Sequence, residues 1–188
     1  DFAKAARRRR AEHRGRVMRI ALLAHVRHPI APPFKGGMEA HAWHLAAELS
    51  RLGHEVTLFA SGDSAAGLPP GVRLFPVFEA HYDREFPWHQ WHGTAALNAH
   101  LDAGFTRVLD ALRTGRFDVV HNNSLHRFPP RFARAARIAM LTTLHVPPFD
   151  TLRRAVHDGA APWSRFSVPS RQQLGLWWEA PAAPVYTS

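Results

Sequence analysis

Strand-like and helix-like segments alternate from Val17 onward, and this alternation restricts the fold more than any other feature of the sequence. Val17–Ala24 (VMRIALLA) is an apolar run of the kind that forms a parallel strand buried on both faces. A loop with Pro29, Pro32 and Pro33 follows and ends in Gly36-Gly37. Met38, Ala42, Leu45, Leu49 and Leu52 then recur at steps of four and three, one face of an amphipathic helix, with Gly53 as its stop. Glu55–Ala60 reads as a second strand, and Val72–Val77 as a third near an edge because of Pro76. A long helix is expected between about Trp88 and Arg113, with Leu97, Leu101, Phe105, Val108 and Leu112 on one face. Asp118–His121 is a fourth strand, Phe132–Arg137 a short helix, and Ala139–Leu144 a fifth strand. Arg165–Val168 begins a sixth strand, Ser170–Trp178 is a helix, and Pro184–Tyr186 is a final strand. The predicted fold class is α/β, a doubly wound parallel sheet with right-handed crossovers. Ligands of such sheets bind beyond the carboxyl ends of the strands, here residues 25–38, 61–64, 121–126 and 143–148.

Composition narrows the function classes. The 188 residues include no cysteine, which removes thiol nucleophiles, zinc ribbons and redox pairs. No apolar run reaches the roughly 18–20 residues of a membrane-spanning helix. The net charge of +9 is uneven: residues 1–16 carry seven basic and two acidic side chains, leaving +4 for the rest. A basic, solvated arm (1–16) is therefore expected before a domain spanning 17–186. The arm either does nothing specific or contacts phosphates or an anionic surface.

The strongest local motif is strand, proline-rich loop, Gly36-Gly37, helix. Glycines at a helix entrance let a ligand's backbone or phosphate approach, and the free N–H groups there attract anions. The same pair can simply make a tight turn. Neither G-x-G-x-x-G nor G-x-x-x-x-G-K-[ST] is present, which argues against a dinucleotide dehydrogenase and a P-loop NTPase. No G-x-S-x-G supports a serine hydrolase. Of the 14 histidines, His81, His89 and His92 are the nearest to a metal set. With no H-E-x-x-H and no cysteine, no metal site is expected. Trp88 and Trp91 in the same stretch either stack on a sugar or pack into the core.

The run Pro32–Ser64 resembles the amino-terminal half of the group 1 retaining glycosyltransferases, which have two Rossmann-like domains in the GT-B arrangement. The matching residues are Gly36, Gly37 and Glu39 of a GG-x-E loop, then Leu49 and Gly53-His54-Glu55-Val56 of an L-x-x-x-GHEV phrase. Phe117–Ser124 (FDVVHNNS) resembles the family's fDvvH strand, Leu141–Pro148 (LTTLHVPP) its TlH strand, and Phe166–Ser170 its vavS segment. The resemblance implies transfer of a sugar from a nucleotide-sugar, such as a UDP- or GDP-sugar, to a hydroxyl of a sugar, lipid or small molecule, with retention. It implies no resident cofactor, a cytoplasmic protein, either free or peripheral to the membrane, and no specific nucleic-acid partner. The family's donor-gripping second domain, with its basic pair and E-x7-E segment, is expected outside these residues, so the chain alone should not catalyse transfer.

Residue by residue, the resemblance places Gly36 and Gly37 against the donor diphosphate and His121 beside the donor sugar and the acceptor. Asn122, Asn123, Ser124, Thr143 and His145 follow as sugar or acceptor contacts, with Trp88 and Trp91 bordering the acceptor cleft. His121 alternatively sits satisfied by backbone at the sheet rim. Glu39 reads as a first-turn charge that suits the helix dipole. Two rivals stand beside this reading. One is a nucleotide-sugar epimerase of the same two-domain plan. The other is a non-catalytic binding module that uses its basic arm.

Overall fold

The computed structural model describes residues 16–178 together with the backbone of Tyr186–Thr187. Except for Arg16, the basic arm lies outside the described residues, as does the start of the final strand. The strands are β1 (Arg19–Leu23), β2 (Glu55–Ala60), β3 (Arg73–Pro76), β4 (Val119–Asn122), β5 (Met140–Thr143), β6 (Ser164–Ser167) and β7 (Tyr186–Thr187). All pair in parallel, in the order β3-β2-β1-β4-β5-β6-β7. The helices are α1 (Gly37–Arg51), α2 (Trp88–Trp91), α3 (Ala95–Thr114), α4 (Phe128–Ala136), α5 (Asp150–Asp158) and α6 (Arg171–Trp178).

Both faces of the sheet are covered, as its apolar strands require. On one face Leu22, Ala24, Val56, Leu58 and Ala60 pack against Ala42 and Ala46 of α1. The small alanines let α1 lie close to the strands. On the other face Ala21, Leu23, Phe59, Val120 and Met140 meet Leu97, Phe105, Val108 and Leu112 of α3 and Ala133 of α4. A third cluster joins Leu144 and Phe166 to Leu152 and Val156 of α5 and to Trp177 of α6. This is the expected doubly wound, Rossmann-like sheet.

Three elements differ from the sequence expectation. The single long helix is two: α2 ends at Trp91, Gly93 takes a left-handed φ of 76°, and Thr94 starts α3. The Thr94 hydroxyl accepts from Leu97 N at 3.3 Å, so a proper N-cap sits inside the apolar periodicity. Helix α4 starts at Phe128 rather than Phe132, because Pro129 and Pro130 occupy the first turn, where no amide donor is needed. Helix α5 had no counterpart in the expected element order.

Candidate active site

The strand order reverses between β1 and β4, the place where open α/β sheets bind ligands. The site grows from those strand ends. The pleat alternates side chains along β4, so Val120 and Asn122 face one side and His121 the other. Register sets His121 beside Leu22 of β1 and Leu141 of β5, which places its ring on the face that α1 covers. Thr143 lies two residues beyond Leu141 and shares that face. Its register partner on β6 is Ser167. The three side chains meet: His121 Nε2 lies 2.8 Å from Thr143 Oγ1, and Thr143 Oγ1 lies 2.9 Å from Ser167 Oγ.

A second group forms just past the strand ends. His145 Nε2 donates to Asn123 Oδ1 at 2.7 Å, and the His145 ring meets His41 of α1 edge-on with centroids 4.8 Å apart. The Asn123 side chain is buried, and its Nδ2 has no hydrogen-bond partner among the described residues. Asn122 and Ser124 instead hold the turn after β4. Asn122 Oδ1 accepts from Ser124 N at 3.1 Å and from Ser124 Oγ at 2.7 Å, while Asn122 Nδ2 donates to Thr142 Oγ1 at 3.3 Å. Ser124 Oγ then accepts from His126 N at 3.2 Å. Both residues are buried in this network.

Burial holds the imidazoles neutral. His121 is pushed down to about 4 by desolvation first and by His41 second. His145 falls to about 4 through desolvation, with smaller contributions from His41 and His121. His25, just past β1, is lowered to about 4 by burial and then by Arg27, and burial also lowers His41. The sequence reading covered His25 only within the range 25–38 and singled out neither His41 nor Ser167. His41 lies four residues after Gly37, so the helical period alone could have placed it one turn above the entrance of α1.

That entrance is formed by Gly36, which precedes α1 in an extended conformation with no side-chain cap. The first N–H groups of α1 thus receive no cap from the residue before the helix, the arrangement that suits an anion at a helix N-terminus. A Cβ on Gly36 would sit 2.9 Å from Glu39 Oε2, whereas one on Gly37 would meet nothing within 4 Å. Glu39 lies in the first turn of α1, as expected, and is buried. The two tryptophans part company. Trp91 packs inward on Phe86, with centroids 5.1 Å apart. Trp88 stays exposed, with Arg27 of the β1–α1 loop 5.1 Å over its ring and His92 against it at 4.0 Å. His81 pairs instead with Asp63 at 2.5 Å, so His81, His89 and His92 do not converge. No group of three His, Asp or Glu among the described residues is arranged to hold a metal ion. Nor is any described helix long and apolar enough to cross a membrane.

Comparison with known proteins bears on the fold and the family. The chain is 31% identical over 167 residues to the MMP alpha-(1->4)-mannosyltransferase of Mycolicibacterium hassiacum, an overlap of 79% of this chain and 39% of that protein. Sucrose-phosphate synthase from Thermosynechococcus elongatus has the same fold with a TM-score of 0.62 at 15% identity, over 90% of this chain and 47% of that one. Glycyrrhiza uralensis UGT73P12, complexed with glycyrrhetinic acid 3-O-monoglucuronide, matches with a TM-score of 0.55 at 10% identity, over 87% and 46%. The chain thus spans less than half the length of each of these proteins. The fold is the Rossmann-like half of a GT-B architecture. A family model described as Glycosyltransferase Family 4 matches residues 35–174. Because that span covers most of the chain, from the entrance of α1 into α6, the chain belongs to Glycosyltransferase Family 4.

Proposed function

We propose that this chain is the acceptor-side domain of a retaining glycosyltransferase that moves a sugar from a nucleotide-sugar to a hydroxyl acceptor. The observation that carries the reading is His121 at the strand-order reversal, neutral, with Nε2 engaged by Thr143 and Nδ1 without a partner among the described residues. A neutral imidazole held this way offers one ring nitrogen to a sugar hydroxyl. Its hydrogen bond strengthens as the glycosidic bond lengthens and charge shifts to the leaving diphosphate. The departing diphosphate would lie at the α1 entrance, where Gly36 brings no side-chain cap and the space a Cβ on Gly37 would occupy is open. Asn123 and His145 flank the same strand ends and suit hydroxyl recognition. Trp88 offers an exposed ring on the far side of the β1–α1 loop.

Turnover is assigned to a protein in which this domain faces a second, donor-gripping domain. Because a mannosyltransferase is among the relatives, a GDP-linked mannosyl donor is the first to test, followed by UDP-linked hexoses. In the full-length protein, nucleoside diphosphate release that needs an added saccharide, lipid or small-molecule acceptor supports the transferase. Release of free sugar without an acceptor would favour the epimerase-type reading. Salt-sensitive binding to polyanions with no donor turnover would favour a binding module.

A further inference from the structure

We propose that Thr143 and Ser167 are positioning residues for His121: their linked hydroxyls fix its imidazole and reserve Nδ1 for the sugar. This inference rests on the transferase reading above. Its basis is sheet geometry. His121, Thr143 and Ser167 come from three adjacent strands, and register alone brings them together on one face. Strands hold side chains more precisely than loops do, and the β-branched Thr143 has few rotamers open to it. Thr143 is buried, so its hydroxyl must find partners inside the protein. It finds two, His121 Nε2 at 2.8 Å and Ser167 Oγ at 2.9 Å.

The chain of hydroxyls has a chemical consequence. A neutral imidazole has one N–H, so the direction of the Nε2–Thr143–Ser167 chain decides whether Nδ1 donates or accepts. Both directions satisfy every group, because each hydroxyl can donate to one neighbour and accept from the other. Thr143 thus does not compete for the sugar. It holds the ring that does, and Ser167 completes the hydroxyl's second bond.

Two measurements test this. In the full-length protein, Thr143→Val should lower kcat by about tenfold, the scale of one lost hydrogen bond, with little change in donor KM. Thr143→Ser should restore kcat, and Ser167→Ala should fall between them. In the 188-residue chain labelled with 15N-histidine, the His121 ring signals should move in Thr143→Val and return in Thr143→Ser. Ring signals that stay in place in Thr143→Val overturn the positioning role, whatever the kinetics. Ring signals that move while kcat does not change show that His121 is held by Thr143 but takes no part in transfer. That second outcome overturns the catalytic reading of His121 and the role proposed for Thr143 with it. A Thr143→Val protein that melts much earlier is compared through Ser167→Ala, whose half-buried site tolerates the loss.

Discussion

The ring of His41 meets the ring of His145 edge-on at 4.8 Å, joining helix α1 to the end of strand β5 across the mouth of the site. Neither imidazole has an acidic side chain among the causes of its lowered pKa; burial dominates both. The contact therefore suits two neutral rings and opposes two charged ones.

Acid should destabilise the fold through these rings. The folded pKa values of His25, His121 and His145 are near 4, against an ordinary 6.5. Between pH 6.5 and about 4 the unfolded chain binds protons that the folded chain refuses, so stability is complete above 6.5 and declines across that window. The melting temperature should fall by several degrees from pH 7.5 to 4.5. His145→Gln should make the decline shallower. An equal slope in that variant would show that other groups set the acid response.

The two glycines at the α1 entrance should behave differently. A Cβ on Gly37 would meet nothing within 4 Å and the residue is exposed, so Gly37→Val should leave the melting temperature nearly unchanged. The branched side chain would crowd the diphosphate position, so donor affinity and turnover in the full-length protein should drop. Gly36→Ala brings a Cβ to 2.9 Å from Glu39 Oε2, the end of a flexible side chain that must turn aside, and should cost at most about 1 kcal/mol of stability. Calorimetry beside donor titration separates the two, and an unchanged donor affinity in Gly37→Val would reduce the loop to a turn.

His121→Ala should depress kcat in the full-length protein by about 10²–10³, or about 2.7–4 kcal/mol, as for a lost oxyanion donor. Donor KM should change little, because the bond matters most in the transition state. Thermal stability should fall only slightly, since the lost partner, Thr143, keeps its contact with Ser167. Early melting with normal activity per folded molecule would make His121 structural.

Gly104→Ala tests the packing of α3. Glycine normally weakens a helix interior, so alanine there usually stabilises. Here a Cβ would overlap the Phe78 ring, which already stacks on His100 at 4.2 Å. The expected result is a loss of about 1–3 kcal/mol in urea unfolding. A gain would mean that the ring moves freely.

Much of this protein could be read from its residues. The steps of three and four from Met38 to Leu49 fixed α1, and the apolar runs fixed the parallel sheet and thereby the strand ends. Local exceptions hid the rest. Thr94 capped a helix within continuous periodicity, and Pro129 and Pro130 opened α4 four residues before the expected start. Helix α5 buries only Leu152, Ala155 and Val156, too few to mark a period among its charges. At the site, His121 was visible because it ends a strand. Ser167 was not, because its link to His121 runs through the register of β4, β5 and β6, more than 40 residues apart in sequence.

That register also makes the site a proofreader of its own sheet. A one-residue slip of β5 would turn Thr143 to the opposite face and leave His121 without its hydroxyl. The same slip would carry His145 away from Asn123 and His41. A misaligned molecule could still hold an apolar core of similar size, but its site would come apart. For a protein built this way, ligand binding per mole of chain measures the fraction of molecules whose strands are correctly aligned, a defect that far-ultraviolet dichroism would not see.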